Sequence, residues 1–135
     1  MIAVDTSAII AILRLEPEAA AFSRCMEAAA AVSMSAVSLQ EASMVLAGRH
    51  ADAVAWSELD RILRVMEVEI IPHDAELARI ARDAFLRFGK GRHAARLNCG
   101  DCASYALAKK YGIPLLFKGT DFTQTDIVAA LPTPA

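Results

Sequence analysis

The stretch MIAVDTSAII, residues 1–10, places Asp5 between two apolar runs. The run before it suits a short strand and the run after Ser7 suits a helix, so the aspartate falls at a strand-to-helix junction. One reading of Asp5 is structural, since a carboxylate there accepts the unpaired amide hydrogens of a first helical turn. The other is functional, because ligands of open parallel sheets bind beyond the carboxyl ends of the strands.

Working outward, short β-rich runs keep alternating with longer segments of helical period, the pattern of a parallel sheet covered by helices on both faces. Strands are expected at Ile2 to Val4, Ala31 to Ser33, Val68 to Ile71 and Leu115 to Phe117. Helices are expected to begin near Thr6, near Pro17 as a first-turn proline, at Ser38, and near Asp52, Asp74, Asp101 and Thr123. Within the Asp74 helix, Ala75, Leu77, Ala78, Ala81, Ala84, Phe85 and Phe88 include one apolar stripe, and Gly89 is a natural stop. The expected fold class is therefore α/β, one domain over residues 1–135 with a small parallel sheet of about four to five strands. The tail LPTPA reads as a frayed end.

The composition agrees, being 56% hydrophobic with only 6% aromatic residues, which suits alanine-rich helices packed on a small sheet. No apolar run reaches the roughly 18 to 20 residues that span a bilayer, and no basic region precedes the first apolar run, so a water-soluble cytoplasmic protein without membrane association is expected. Three cysteines, Cys25, Cys99 and Cys102, argue against a disulfide framework, and one C-x-x-C pair supplies too few ligands for structural zinc. Buried, unreactive thiols are expected. The net charge of −2 gives no global attraction to a polyanion, which would have to be held by a local basic patch or a bound cation.

Each acidic candidate has a structural alternative. Ser38 to Glu41 matches the S-x-x-E capping box, Asp101 follows Gly100 at a helix start favoured by the helix dipole, and Asp121 can cap the helix expected at Thr123. Caps need not converge, however, whereas Asp5, Glu41, Asp101 and Asp121 can all project toward the carboxyl edge of one sheet. Carboxylates drawn together repel one another unless a cation neutralises them, and an oxygen-only ligand set favours magnesium or manganese over zinc. Asp74 occupies an equivalent strand-to-helix position, so topology alone leaves five candidates.

Between the helices expected at Asp74 and Asp101, the segment RFGKGRHAARLNCG carries Arg87, Lys90, Arg92, His93 and Arg96 around two glycines. It reads as an exposed basic loop. Either it is simply solvated, or Lys90, Arg92, His93 and Arg96 hold phosphates beside the acids, fixing position without reading sequence. His93 lacks a partner for acid–base work and reads better as a loop contact.

Taken together, VDTSAIIAIL, SAVSLQEASMVLAG and GKGRHAARLNCGDCASYALAKKYGIPLLFKGTDFTQTDI resemble the PIN-domain ribonuclease toxins of the VapC type over nearly the whole chain. The resemblance implies an α/β/α sandwich whose acidic cluster binds Mg2+ or Mn2+ and cleaves phosphodiester bonds in RNA. By motif match its acids are Asp5, Glu41 and Asp101, with Asp121 as the fourth. Relatives commonly carry Asp or Asn where this chain has Thr120, which can still hydrogen-bond water near the metal. Thr6 and Ser7 read as a helix cap, to which the resemblance adds a supporting role for Thr6 behind the ligands. The chemistry expected is hydrolysis, with the metal lowering the pKa of water and a carboxylate orienting it. The resemblance further implies a homodimer and a VapB-type antitoxin, and apolar residues between Leu13 and Met66 are compatible with a groove for a partner helix.

Two other enzyme classes fit less well. A haloacid-dehalogenase-type phosphatase requires a second acid where Ser7 stands, and a phospho-accepting receiver domain has no use for Glu41 or the basic loop. A degenerate PIN domain that binds RNA or a protein partner without cutting is the closer rival, motivated by Thr120.

Overall fold

The structure, a computed structural model, describes residues 1–48 and 54–132. Its elements follow the order β1 (Ile2–Val4), α1 (Thr6–Leu13), α2 (Ala19–Ala28), β2 (Val32–Ser35), α3 (Ala36–Ala47), α4 (Val54–Val65), β3 (Val68–Ile71), α5 (Ala75–Phe88), α6 (Cys99–Tyr111) and β4 (Leu115–Leu116). A short 3-10 turn, Phe122–Gln124, follows. The strands form one parallel sheet ordered β3-β2-β1-β4.

Side-chain alternation along β1 builds the layers. Ile2 and Val4 point into a core shared with Ile9, Phe22, Met34, Leu46 and Leu59, which belong to α1, α2, β2, α3 and α4. Ala3 points the other way, into a core with Leu77, Ala81, Tyr105 and Leu107 from α5 and α6. In β4, Leu115 joins the second core and Leu116 the first. A strand with apolar residues on both faces is what a sheet sandwiched between helices requires. An isolated parallel bridge between Leu115 and Ala129 continues the pairing beyond β4, and the sheet itself has four strands, the lower end of the expected four to five.

Several boundaries differ from the sequence-based expectations. β2 runs to Ser35 rather than Ser33, because Met34 and Ser35 pair with Ile70 and Ile71 of β3. The cap of α3 is consequently Ser35, whose hydroxyl accepts from Val37 N, so the Ser38 to Glu41 capping box does not form. α2 begins at Ala19 rather than at Pro17, and α6 begins at Cys99 with Asn98 as its cap. A 3-10 turn replaces the helix expected at Thr123. In the α5 stripe Leu77, Ala81 and Ala84 are buried, whereas Ala75, Ala78 and Phe85 face out. The start expected near Asp52 and the last three tail residues lie outside the described residues. All three cysteines are free, but only Cys102 is buried, and Cys99 is exposed rather than core. Among the described residues no helix is long and apolar enough to cross a membrane.

Candidate active site

Asp5 follows β1 directly and caps α1, so the structural reading of that residue is correct as far as it goes. Its Oδ2 accepts from Ser7 N at 3.1 Å and from Ser7 Oγ at 2.7 Å. Its Oδ1 accepts from Ser104 Oγ on α6 at 2.5 Å. Ser104 Oγ in turn lies 3.1 Å from Ser38 Oγ of α3, and Ser7 Oγ accepts from Lys118 N at 3.0 Å. A helix cap needs only the first of these contacts. The remainder form a run of hydroxyls that fixes the carboxylate from both sides of the sheet edge.

Thr6 is not the cap. Its hydroxyl donates to Ser38 O at 3.0 Å, tying α1 to α3 beneath Asp5. Ser38, freed from capping, is fully buried and lies one helical turn before Glu41.

Asp5, Glu41 and Asp101 line one open cleft of about 350 Å³, together with Thr6, Arg14 and Lys118. Glu41 and Asp101 reach it through a close approach of α3 to α6 at Gly100. A side-chain carbon at Gly100 would stand 2.5 Å from Glu41 Oε2 and 2.7 Å from its Oε1, so only glycine lets that carboxylate lie against the α6 backbone. Asp101 sits at the third position of α6 and closes a capping box, with Asp101 N donating to Asn98 Oδ1 and Asn98 N donating to Asp101 Oδ2.

Burial pushes the Asp101 carboxyl up to about 6; the amide of Asn98 opposes that rise, while the charges of Asp5, Asp121 and Glu41 add to it. The four acids therefore share one electrostatic field, although Asp121 does not line the cleft. Asp121 is exposed and its side chain caps nothing, which removes its structural alternative. Thr120 is also exposed, and its carbonyl accepts from Thr123 N and Oγ1. Asp74 is a plain cap: it accepts from Leu77 N at 3.0 Å, and it follows the edge strand β3, away from the cleft.

The basic loop is placed differently from the acids. Lys90, Arg92, His93 and Arg96 are exposed, and none lines the cleft. His93 holds the loop together, its Nδ1 accepting from Ala95 N at 3.0 Å and its ring standing edge-on to Phe88. Ser104 and Arg14 were not singled out in the sequence, and Ser7 and Ser38 were read there only as helix caps. Ser104 carries a faint signal there, as a polar residue inside the apolar run of α6.

Among the described residues no group of three His, Cys, Asp or Glu side chains is close enough to enclose a metal ion as it stands. The donors nevertheless fit a hard cation: they are carboxylate oxygens, and burial together with the neighbouring acids disfavours the charge on Asp101, which a cation relieves. Magnesium keeps several waters and takes one or two carboxylates, so it does not require three acids in contact.

Comparison with known proteins gives a consistent answer. The PIN domain family model matches residues 2–128. Ribonuclease VapC30 of Mycobacterium tuberculosis is 45% identical over 130 residues, covering 96% of this chain and 98% of that protein. Among solved structures, Mycobacterium tuberculosis VapC20, described as a sarcin-ricin loop cleaving toxin, superposes with a TM-score of 0.76 at 23% identity and covers 98% of this chain and 100% of its own. VapBC2 from Rickettsia felis, bound to a DNA fragment from its promoter, gives 0.75 at 15% identity, covering 96% of each chain. Sequence, sheet order and the acids gathered at the carboxyl end of β1 agree: the chain belongs to the PIN-domain family, among the VapC ribonucleases.

Proposed function

We propose that the protein is the toxin of a type II toxin-antitoxin pair, an endoribonuclease that hydrolyses phosphodiester bonds in RNA with Mg2+ or Mn2+. The observation that carries this reading is the meeting of Asp5, Glu41 and Asp101, from three separate elements, in one cleft where burial, with their charges adding to it, raises Asp101. The naming of a 45%-identical relative as a ribonuclease supports it. Asp5, Glu41, Asp101 and Asp121 would hold the metal. When bound, the cation neutralises charge at the scissile phosphate and lowers the pKa of water beside it. The protein itself holds Asp5 in one orientation through Ser7 and Ser104, keeps Glu41 against Gly100, and presents Asp101 to orient the attacking water. Lys90, Arg92 and Arg96 would contact RNA backbone outside the cleft and make binding salt-dependent.

The partner is a VapB-type antitoxin, and the toxin itself forms a homodimer. Met44 and Val45 expose apolar surface on α3 beside Glu41, and Trp56 of α4, hydrogen-bonded to Ser43 O, exposes more, in keeping with a docked partner segment.

Deproteinised total RNA, incubated with antitoxin-free protein and Mg2+ or Mn2+, should acquire discrete new ends that EDTA and Asp5→Asn both abolish. No cuts from folded, metal-binding protein would favour a PIN domain that binds without cleaving.

A further inference from the structure

The cleft holds a cation that its acids do not pair. Arg14, at the end of α1, lines the same cavity as Asp5, Glu41 and Asp101. Among the described residues no carboxylate lies within ion-pair distance of its guanidinium, and its Nε is buried without a hydrogen-bond partner. The other cation of the cleft, Lys118, is in the opposite situation, with its Nζ 2.5 Å from Glu16 Oε1 and 3.2 Å from Glu18 Oε2. The chain turns sharply after Arg14, with Leu15 at φ 53 and Glu16 N donating back to Ala11 O. That turn carries Glu16 toward Lys118 while Arg14 remains on the helix end.

A buried N–H left without an acceptor is unfavourable, so Arg14 is poised for an acceptor that arrives with a ligand. A guanidinium matches the paired oxygens of a phosphate, and a positive side chain in an acidic cleft favours a polyanion there beyond what a bound cation supplies. The loop cations lie outside the cleft. We propose that Arg14 is a phosphate-positioning residue, holding the RNA backbone across Asp5, Glu41 and Asp101. This assignment rests on the ribonuclease reading above.

The test uses a fluorescein-labelled oligonucleotide spanning a cut mapped in the total-RNA digestion, bound in EDTA so that it stays intact. Arg14→Gln should weaken binding about tenfold to a hundredfold and reduce the slope of log affinity against log salt by about 0.7, one single-strand phosphate contact. Arg14→Lys should restore the slope and only part of the affinity. With Mn2+, Arg14→Gln should raise KM more than it lowers kcat. Its Mn2+ affinity, followed by thermal shift, should equal or exceed that of the wild type, because a positive charge has left the acids. A merely structural Arg14 would lower metal and RNA binding together, and that result would overturn the assignment. An equal loss of slope in Arg79→Gln, on the exposed face of α5, would overturn it too by reducing the effect to bulk charge. If no cut is mapped and no RNA is bound by the wild type, the ribonuclease reading fails and Arg14's role falls with it.

Discussion

Helix α6 serves two acidic regions of opposite character. Near its start Asp101 is pushed up to about 6, by burial first and then by the charges of Asp5, Asp121 and Glu41. Further along, Tyr105 donates to Asp126 at 2.7 Å and Lys109 lies 2.7 Å from the same carboxylate, with Arg87 of α5 at 3.7 Å. Burial pushes Asp126 up, but the hydrogen bonds from Lys109 and Tyr105 outweigh it and hold the carboxyl below its usual range. Neighbouring residues divide the work, Ser104 donating to Asp5 and Tyr105 to Asp126. The difference separates an acid that ties chain segments together from acids held near one another at a cost. Matched charge marks a clamp, and unmatched charge marks a place for a ligand.

Substitutions break this comparison in a definite order. Asp101→Asn should reduce cleavage by a factor of a thousand or more, measured as initial rate on the mapped RNA, while stabilising the metal-free protein at neutral pH. The folded state binds the Asp101 proton more tightly than the unfolded chain, so its stabilising contribution is complete below pH 3.8 and is lost as pH rises through about 6. Thermal unfolding of metal-free protein between pH 4 and 7 should show that loss in the wild type and not in Asp101→Asn; matching profiles would mean Asp101 is not under strain. Gly100→Ala should lower kcat/KM about tenfold to a hundredfold with little change in melting temperature, since the added carbon displaces only the end of Glu41. An unaffected rate would show that Glu41 acts from another position.

On the other side, Asp126→Asn should cost about 1 kcal/mol of stability, the modest figure for partly exposed, solvent-screened pairs. Cleavage should be unchanged; lost cleavage at unchanged stability, by urea titration, would move Asp126 into the site. The smallest effect is expected for Thr120→Asp, because Asp121 already supplies charge to the cluster. A large gain in metal-dependent cleavage from that variant would mean the natural site is impaired.

The sheet and most helices were legible because they rest on local pattern: β1, β3 and the Asp74 cap of α5 lie where periodicity and capping chemistry put them. What failed depended on distant pairing. Ser35 and Ser38 are equally good caps locally, and only the register of β2 against β3 decides between them. The five acids were all visible, but no local signal set Asp74 apart; the family resemblance passed it over, and the strand order gives the physical reason. Ser104 and Arg14 were missed, and Ser7 and Ser38 were read only as caps, because serine in a helix and arginine at a helix end carry no signature until the fold brings them together.

That run of hydroxyls also sets a timetable. Asp5 is synthesised well before the residues that fix it, being held by Ser104, 99 positions later, and through Ser7 by the amide of Lys118. Until those residues have left the ribosome, the chain can bury apolar surface and form helices without an ordered Asp5 carboxylate. Contacts of such sequence separation are also the slow ones to form. A nascent copy therefore lacks a fixed Asp5 until the segment carrying Ser104 and Lys118 has emerged, and a copy cut short before β4 never gains it.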